Sequence, residues 1–427
     1  MEKREKIFGV AITVLILLLG EVFLKADMLF RLAIGLALGY SLMRAYTGFA
    51  GSVNRAYRGG TTKLMRTMMF MFFVTAFLST AFLFGGDPTQ YNLWINPINI
   101  GLLVGGLMFG FGMSLSSCCA TGVLTDLVVG LPRAFITLVF FGIGVFLGFP
   151  VQHTASWVKN SWFTTPVGKK LSGGVYLPDL FQWDGFHGYL GALLLTALFC
   201  GIVVYFSYRY EKKRKKSNTY FGNETETLQD RPEDYDSGEY KLLSTVTFDR
   251  VFAKPWTLKQ GAISLSILFT ILMGVTKAGW GASTPYGVWF GKILIAFGVS
   301  PQAIADFAKM KPDSYVQPFF QNAVSVQNLG IILGTLIYLL LAGVFVKTFR
   351  SGLNISFREA LVFALGGLSM GIGTRLGNGC NVGALYTPIA NLSLSGWIYF
   401  VFLVLGAIVG NRFGKFAFGR KEAGLLG

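Results

Sequence analysis

The sequence predicts an all-α, multi-pass membrane protein of about ten transmembrane helices, arranged as two inverted repeats with an interrupted helix at corresponding positions of each. Three observations carry that expectation. Of 427 residues, 53% are hydrophobic and only 14% are charged, and the mean hydropathy is +0.55, above the range of water-soluble domains. The apolar residues gather in runs, many of them near the roughly 18 to 20 residues that cross a hydrocarbon core. The chain also repeats itself: a shift of 261 positions superposes 105–124 on 366–385. Disordered, collagen-like and disulfide-stapled classes are excluded by the same composition.

The first apolar run, 7–24, follows Lys3, Arg4 and Lys6. No small-residue cleavage site comes after it, so it reads as a membrane helix rather than a signal peptide. Runs at 31–43, 64–84, 97–116, 134–151 and 188–209 come next. A second set follows at 258–275, 326–346, 359–374 and 394–412, with a shorter apolar piece at 288–298. The net charge of +16 could suggest nucleic acid, but the basic residues sit at the ends of apolar runs: Arg55 to Arg66, Arg133, Lys212 to Lys216, Lys347 and Arg350, and Arg412 to Lys421. That is topology. By the positive-inside rule these clusters lie in the cytoplasm, which places both termini inside and the protein in the cytoplasmic (inner) cell membrane. Loops 152–187 and 299–325 carry Trp, Tyr and Pro and read as outer interfacial segments. Segment 211–257, basic and then rich in Glu, Asp, Ser and Thr, reads as a cytoplasmic linker. The expected organisation is therefore an amino-terminal helix (1–30), a first repeat half (31–210), the linker (211–257) and a second half (258–427).

The repeat pairs GGLMFGFGMSLSSCCATGVL with GGLSMGIGTRLGNGCNVGAL. Gly105, Gly106, Leu107, Gly110, Gly112, Leu115, Cys119, Gly122 and Leu124 recur as Gly366, Gly367, Leu368, Gly371, Gly373, Leu376, Cys380, Gly383 and Leu385. With the charge-derived topology, the helix before Cys119 runs inward and the one before Cys380 runs outward, the arrangement of many transporters. In each copy an apolar helix breaks into a Gly-rich turn with one shared cysteine. Unpaired backbone at bilayer depth survives only where protein or a water-filled path satisfies it, so paired interruptions point to a permeation site.

Single glycines here read as helix packing, and a lone cysteine reads as a small buried hydrophobe. Recurrence of Cys119 and Cys380 at matching places favours function, as two soft S–H groups offered to one anion. Cys118 aligns with Gly379 and is the less secure candidate. Asn378 and Asn381 bring amide donors beside Cys380, and Gly122 and Gly383 open the backbone. Cys200, inside an apolar run, reads as packing. Arg375 reads equally as a functional intramembrane charge or as a snorkelling side chain. With only two histidines, both in an outer loop, no metal set emerges, and no triad, nucleotide loop or carboxylate pair indicates catalysis or a cofactor.

The stretches GFGMSLSSCCATG and GIGTRLGNGCNVGAL, the latter followed by LSLSGW at 392–397, resemble the YeeE/YedE family of bacterial membrane sulfur transporters. The resemblance spans both halves and implies uptake of thiosulfate along a central line of cysteines at the tips of re-entrant hairpins. It implies substrate-binding roles for Cys119 and Cys380. The family also carries an Arg-x-x-x-Cys-Phe-Thr-Gly motif. Arg44 to Gly51 fits that frame, but Gly48 stands where the cysteine belongs. The counterpart in the second half runs from Gly279 to Gly287, with Ser283 in the equivalent neighbourhood. Cys118 as a replacement thiol, or a different cargo, stays open. So do a selenium compound or other sulfur species, a membrane sulfurtransferase with a cysteine nucleophile, and a metal or polar-solute channel on the same scaffold. Expected partners are the lipid bilayer and a small sulfur-containing anion. A cytoplasmic sulfur-carrier protein docking on the inner loops is left open, and no nucleic acid is expected.

Overall fold

The computed structural model describes residues 2–230 and 244–418. The carboxyl tail beyond 418 and the middle of the expected linker, 231–243, lie outside the described residues. Helices dominate: α1 (Glu2–Phe23), α2 (Ala26–Arg44), α3 (Phe49–Gly59), α4 (Lys63–Leu83), α5 (Ile100–Ser116), α6 (Gly122–Val129), α7 (Leu131–Thr154) and α8 (Tyr189–Lys216) form the first part. After the linker come α9 (Leu258–Thr276), α10 (Thr284–Ala296), α11 (Ala323–Leu341), α12 (Phe357–Leu376), a π-helical turn (Asn381–Tyr386) leading into α13 (Thr387–Ala390), and α14 (Leu394–Phe418). Among the described residues there are two isolated β-bridges and no strand. Nine helical segments among the described residues are long and apolar enough to cross a membrane, and α5 is a shorter apolar helix of 17 residues. Large side chains such as Leu18, Phe77, Leu194, Phe206 and Ile267 face outward, as a lipid-facing girdle requires.

Local chemistry sets the helix boundaries. Asn99 caps α5 by accepting from Leu102 N at 3.0 Å. Thr257 with Gln260, and Ser356 with Glu359, form capping boxes at the starts of α9 and α12, satisfying amides that lipid could not. The basic run 212–216 forms the last turn of α8, so the chain leaves the helix only at Ser217. Those charges suit a helix carboxyl end.

Packing exchanges partners between the halves. Helix α2 lies on α11 as α4 lies on α9; α5 lies on α14 as α7 lies on α12; and α5 meets α12 directly. Gly112 abuts the Gly366 carbonyl and Gly105 abuts Gly373, contacts that swap under the repeat. Met108 and Ser369, equivalent positions, touch each other: Ser369 Oγ donates to Met108 O at 2.8 Å. Most repeat glycines are therefore contact surfaces where backbone meets backbone, the packing role open to each when taken singly.

The bundle has two ends. At one, the Phe345 amide donates to Glu5 at 2.9 Å, and Lys6 pairs with Asp249 at 2.7 Å. Gly352 there touches Gly130. The flanks of the linker fold back onto this end in short helices, Glu224–Gln229 and Thr245–Phe248, where a solvated segment had been expected. Glu226 accepts from Arg55 at 3.2 Å and Thr61 at 2.6 Å, and Gln229 donates to Ala45 O and Trp256 O at 2.6 and 2.8 Å. The Arg44 guanidinium donates to the carbonyls of Arg250, Val251 and Lys254. At the other end, Asn99 Nδ2 donates to Val158 O at 2.7 Å, Leu177 N to Leu392 O at 2.9 Å and Asn391 to Leu93 O at 3.0 Å.

Candidate functional site

Between the two ends, the α5–α6 and α12–α13 connections break at equivalent residues in the same way. Ser117 and Asn378, one repeat apart, both take the left-handed conformation with φ of 56°. This reverses the chain just before the cysteines. Cys119 O then accepts from Val123 N at 2.8 Å, and Cys380 O accepts from Ala384 N at 2.6 Å, each restarting helical structure four residues on. Asn tolerates the left-handed region well and Ser less so.

Cys119 and Cys380 are each 1% exposed, and both thiols are free. Cys119 Sγ lies 3.4 Å from Thr121 Oγ1 and accepts from Gly122 N at 3.4 Å. The two sulfurs are close enough to interact electrostatically. Tyr286 from α10 and Tyr399 from α14 lie within the same range of both. Tyr286 donates to Ala120 O at 2.5 Å, tying the first turn to the second half, whereas the buried Tyr399 hydroxyl has no hydrogen-bond partner among the described residues. Asn381 donates to Met113 Sδ at 3.0 Å, leaving its Oδ1 buried and unpartnered. Gly379 packs on the Gly383 backbone, and Gly383 lies under the Trp94 ring. Asn96 reaches Gly383 O at 3.5 Å.

Cys118 is also buried, within electrostatic range of Asp126 and Arg133, which pair at 3.2 Å. Asn378 and Ser283 join a separate cluster. Asn378 accepts from Gln152 at 2.9 Å, and Ser283, the residue before α10, accepts from Arg375 Nη2 at 3.0 Å. Gly48 occupies the matching position before α3. It lines a small open pocket with Leu42, Thr47, Phe49, Thr67, Met68, Met71, Ala262 and Leu265. Phe49, Phe72 and Tyr386 stack beside this cavity with ring centroids 5.7 to 6.5 Å apart. Cys200 contacts Met69 O at 3.4 Å on α8, a packing position. Among the described residues, no group of three or more His, Cys, Asp or Glu could hold a metal ion.

The structure thus gathers Cys119, Cys380, Gly122, Gly379, Asn381 and Gly383 around the two breaks. It sets Cys118, Gly48 and the Asn378–Ser283 pair in three flanking positions. Trp94, Asn96, Gln152, Tyr286 and Tyr399 border the site without having been singled out from sequence. A polar Gln152 at the end of an apolar run, and Tyr286 within the 279–287 counterpart, were the available signals. The two breaks bring neutral soft donors, amides and a nearby guanidinium together, groups whose chemistry suits a small anion.

A family model described as sulphur transport matches residues 44–409. The thiosulfate transporter TsuA of Spirochaeta thermophila is 25% identical over 317 residues, covering 73% of this chain and 76% of that protein. The probable transporter YedE of Escherichia coli is 28% identical over 160 residues, and its Salmonella typhimurium namesake 26% identical over 169; each alignment spans 38% of both chains.

Proposed function

The chain belongs to the sulphur transport family, and from that premise we propose that it takes up thiosulfate across the inner membrane past Cys119 and Cys380. It is a membrane transporter rather than an enzyme. The observation that carries the substrate reading is the pair of buried free thiols at matched helix breaks. The likeness to a protein named as a thiosulfate transporter adds to it. A thiol is a weak, polarizable donor. Two in succession replace part of the water shell without holding the ion tightly, and a passing ion must be bound weakly enough to leave. The Gly48 cavity, on the linker side of the aromatic layer formed by Phe49, Phe72 and Tyr386, serves as the release chamber.

In this reading the halves are inverted and the end bearing the linker is cytoplasmic. The fold supports this: α5 starts at the end where Asn99 meets Val158, whereas the equivalent α12 follows Gly352 at the opposite end. Labelling of Lys170 and Lys311 from outside tests it; modification of either only from the cytoplasmic side overturns it. A sulfurtransferase reading is less well supported, because Asp126, the one carboxylate near the motif, is already held by Arg133. The direct test is uptake of radiolabelled thiosulfate into proteoliposomes. Cys119→Ala and Cys380→Ala are expected to remain folded and fall to the level of empty vesicles; wild-type uptake by both removes the thiol mechanism.

A further inference from the structure

Arg375 is a cation in the last turn of α12, only 4% exposed. It belongs to no ion pair among the described residues, although seven such pairs occur elsewhere. Its neighbours are all neutral. Nη2 donates to Ser283 Oγ at 3.0 Å, and Nη1 reaches Thr284 Oγ1 at 3.2 Å and Gln152 Oε1 at 3.4 Å. The guanidinium lies over the Phe149 ring at 5.4 Å, and Nε is buried without an acceptor. A buried charge met only by neutral oxygens, with one donor left empty, is costly unless an anion completes it. Snorkelling does not account for it, since the head group points among buried side chains rather than toward water.

Position adds a direction. Gln152 and Asn378 are only partly buried and lie toward the end where 155–188 folds over the bundle, while Arg375 is within electrostatic reach of Cys380. We propose that Arg375, with Ser283, Thr284 and Gln152, forms an oxyanion site immediately before the thiols. It takes the oxygen-bearing end of a small sulfur oxyanion while the soft sulfur end faces Cys380. The planar fork of arginine suits two oxygens at once, and the hydroxyls rotate to donate once the guanidinium turns to the ion. Charge is read at this site and softness at the thiols, so an ion lacking a terminal sulfur is bound without being passed on. The cargo's identity rests on the thiosulfate reading; the anion site does not.

Binding of thiosulfate, sulfate and selenite to the detergent-purified protein tests this. Arg375→Gln should weaken every anion that the wild type binds, about 10- to 100-fold for loss of a charge-assisted pair. Arg375→Lys should recover part of the loss, and Ser283→Ala should cost severalfold. Cys380→Ala should weaken thiosulfate more than sulfate. Wild-type affinity in folded Arg375→Gln overturns the site. If that variant does not fold, wild-type affinity in both Arg375→Lys and Ser283→Ala overturns it equally, as does a wild-type protein that binds none of the three. Arg375-dependent binding of sulfate or selenite without thiosulfate leaves the site standing and removes the thiosulfate reading.

Discussion

Gly48→Cys is a sharp test of the cavity on the linker side. Gly48 has φ of −163° and ψ of 142°, extended backbone that any residue adopts, and a Cβ placed there meets no atom within 4 Å. The substitution should gain about 0.4 to 1 kcal/mol by reducing unfolded-chain freedom. It should lose a comparable amount because glycine is the better N-cap for α3, so the net change in stability lies within about 1 kcal/mol. The new thiol enters the open pocket beside Gly48, whereas the four native cysteines are buried and free. In the folded protein, a small methanethiosulfonate reagent should therefore modify Cys at position 48 much faster than any native cysteine, at an essentially unchanged melting temperature. Resistance to the reagent in the folded state, or a marked drop in melting temperature, would refute the open-cavity reasoning and with it the release chamber.

Two further predictions concern the scaffold. Gly371 packs its α-carbon face on the Phe141 carbonyl and on Gly144, so Gly371→Leu must push α7 and α12 apart. A loss of about 1 to 3 kcal/mol or more is expected from such overpacking, read as a lowered detergent melting temperature; unchanged melting would mean the two helices are not in this contact. Desolvation is the largest single influence on Asp184, before α8, and raises it, but backbone amides including Gly191, Gly188 and Phe186 together outweigh this and hold its carboxyl below the ordinary range. A lowered folded-state pKa stabilises at neutral pH and is lost as pH falls from the usual carboxylate range through the depressed value. The protection of the Gly188 and Gly191 amides, measured as exchange relative to the intrinsic rate at each pH, should therefore fall on acidification, and Asp184→Asn should flatten that dependence; an unaltered profile counts against it.

The parts of this fold that follow from local pattern were legible. Apolar runs marked the crossings, because a membrane helix must satisfy its own backbone and show lipid an apolar face. The break at Cys119 and Cys380 was legible because a repeat records the same local geometry twice, down to the left-handed Ser117 and Asn378. What depended on distant partners was not. Glu226 and Gln229 looked like residues of a solvated linker, and only their meeting with Arg55 and Ala45 docks that segment. Repeat glycines that touch other helices were indistinguishable from those that open the turns. Arg375 could be read as function or as snorkelling until Ser283, Thr284 and Gln152, remote in sequence, surrounded it with neutral oxygens. Gly48 was visible only as a thiol missing from a frame; that space lies open beside it required the fold.

The central claim is that one sulfur anion meets both Cys119 and Cys380 inside the membrane. Diffraction from crystals equilibrated with selenosulfate, collected at the selenium edge, tests it most directly. The account predicts an anomalous peak between the two helix breaks, within hydrogen-bonding distance of at least one of these sulfurs, that disappears in Cys119→Ala/Cys380→Ala. Selenium density found only at the surface, or undiminished in the double variant, would contradict it.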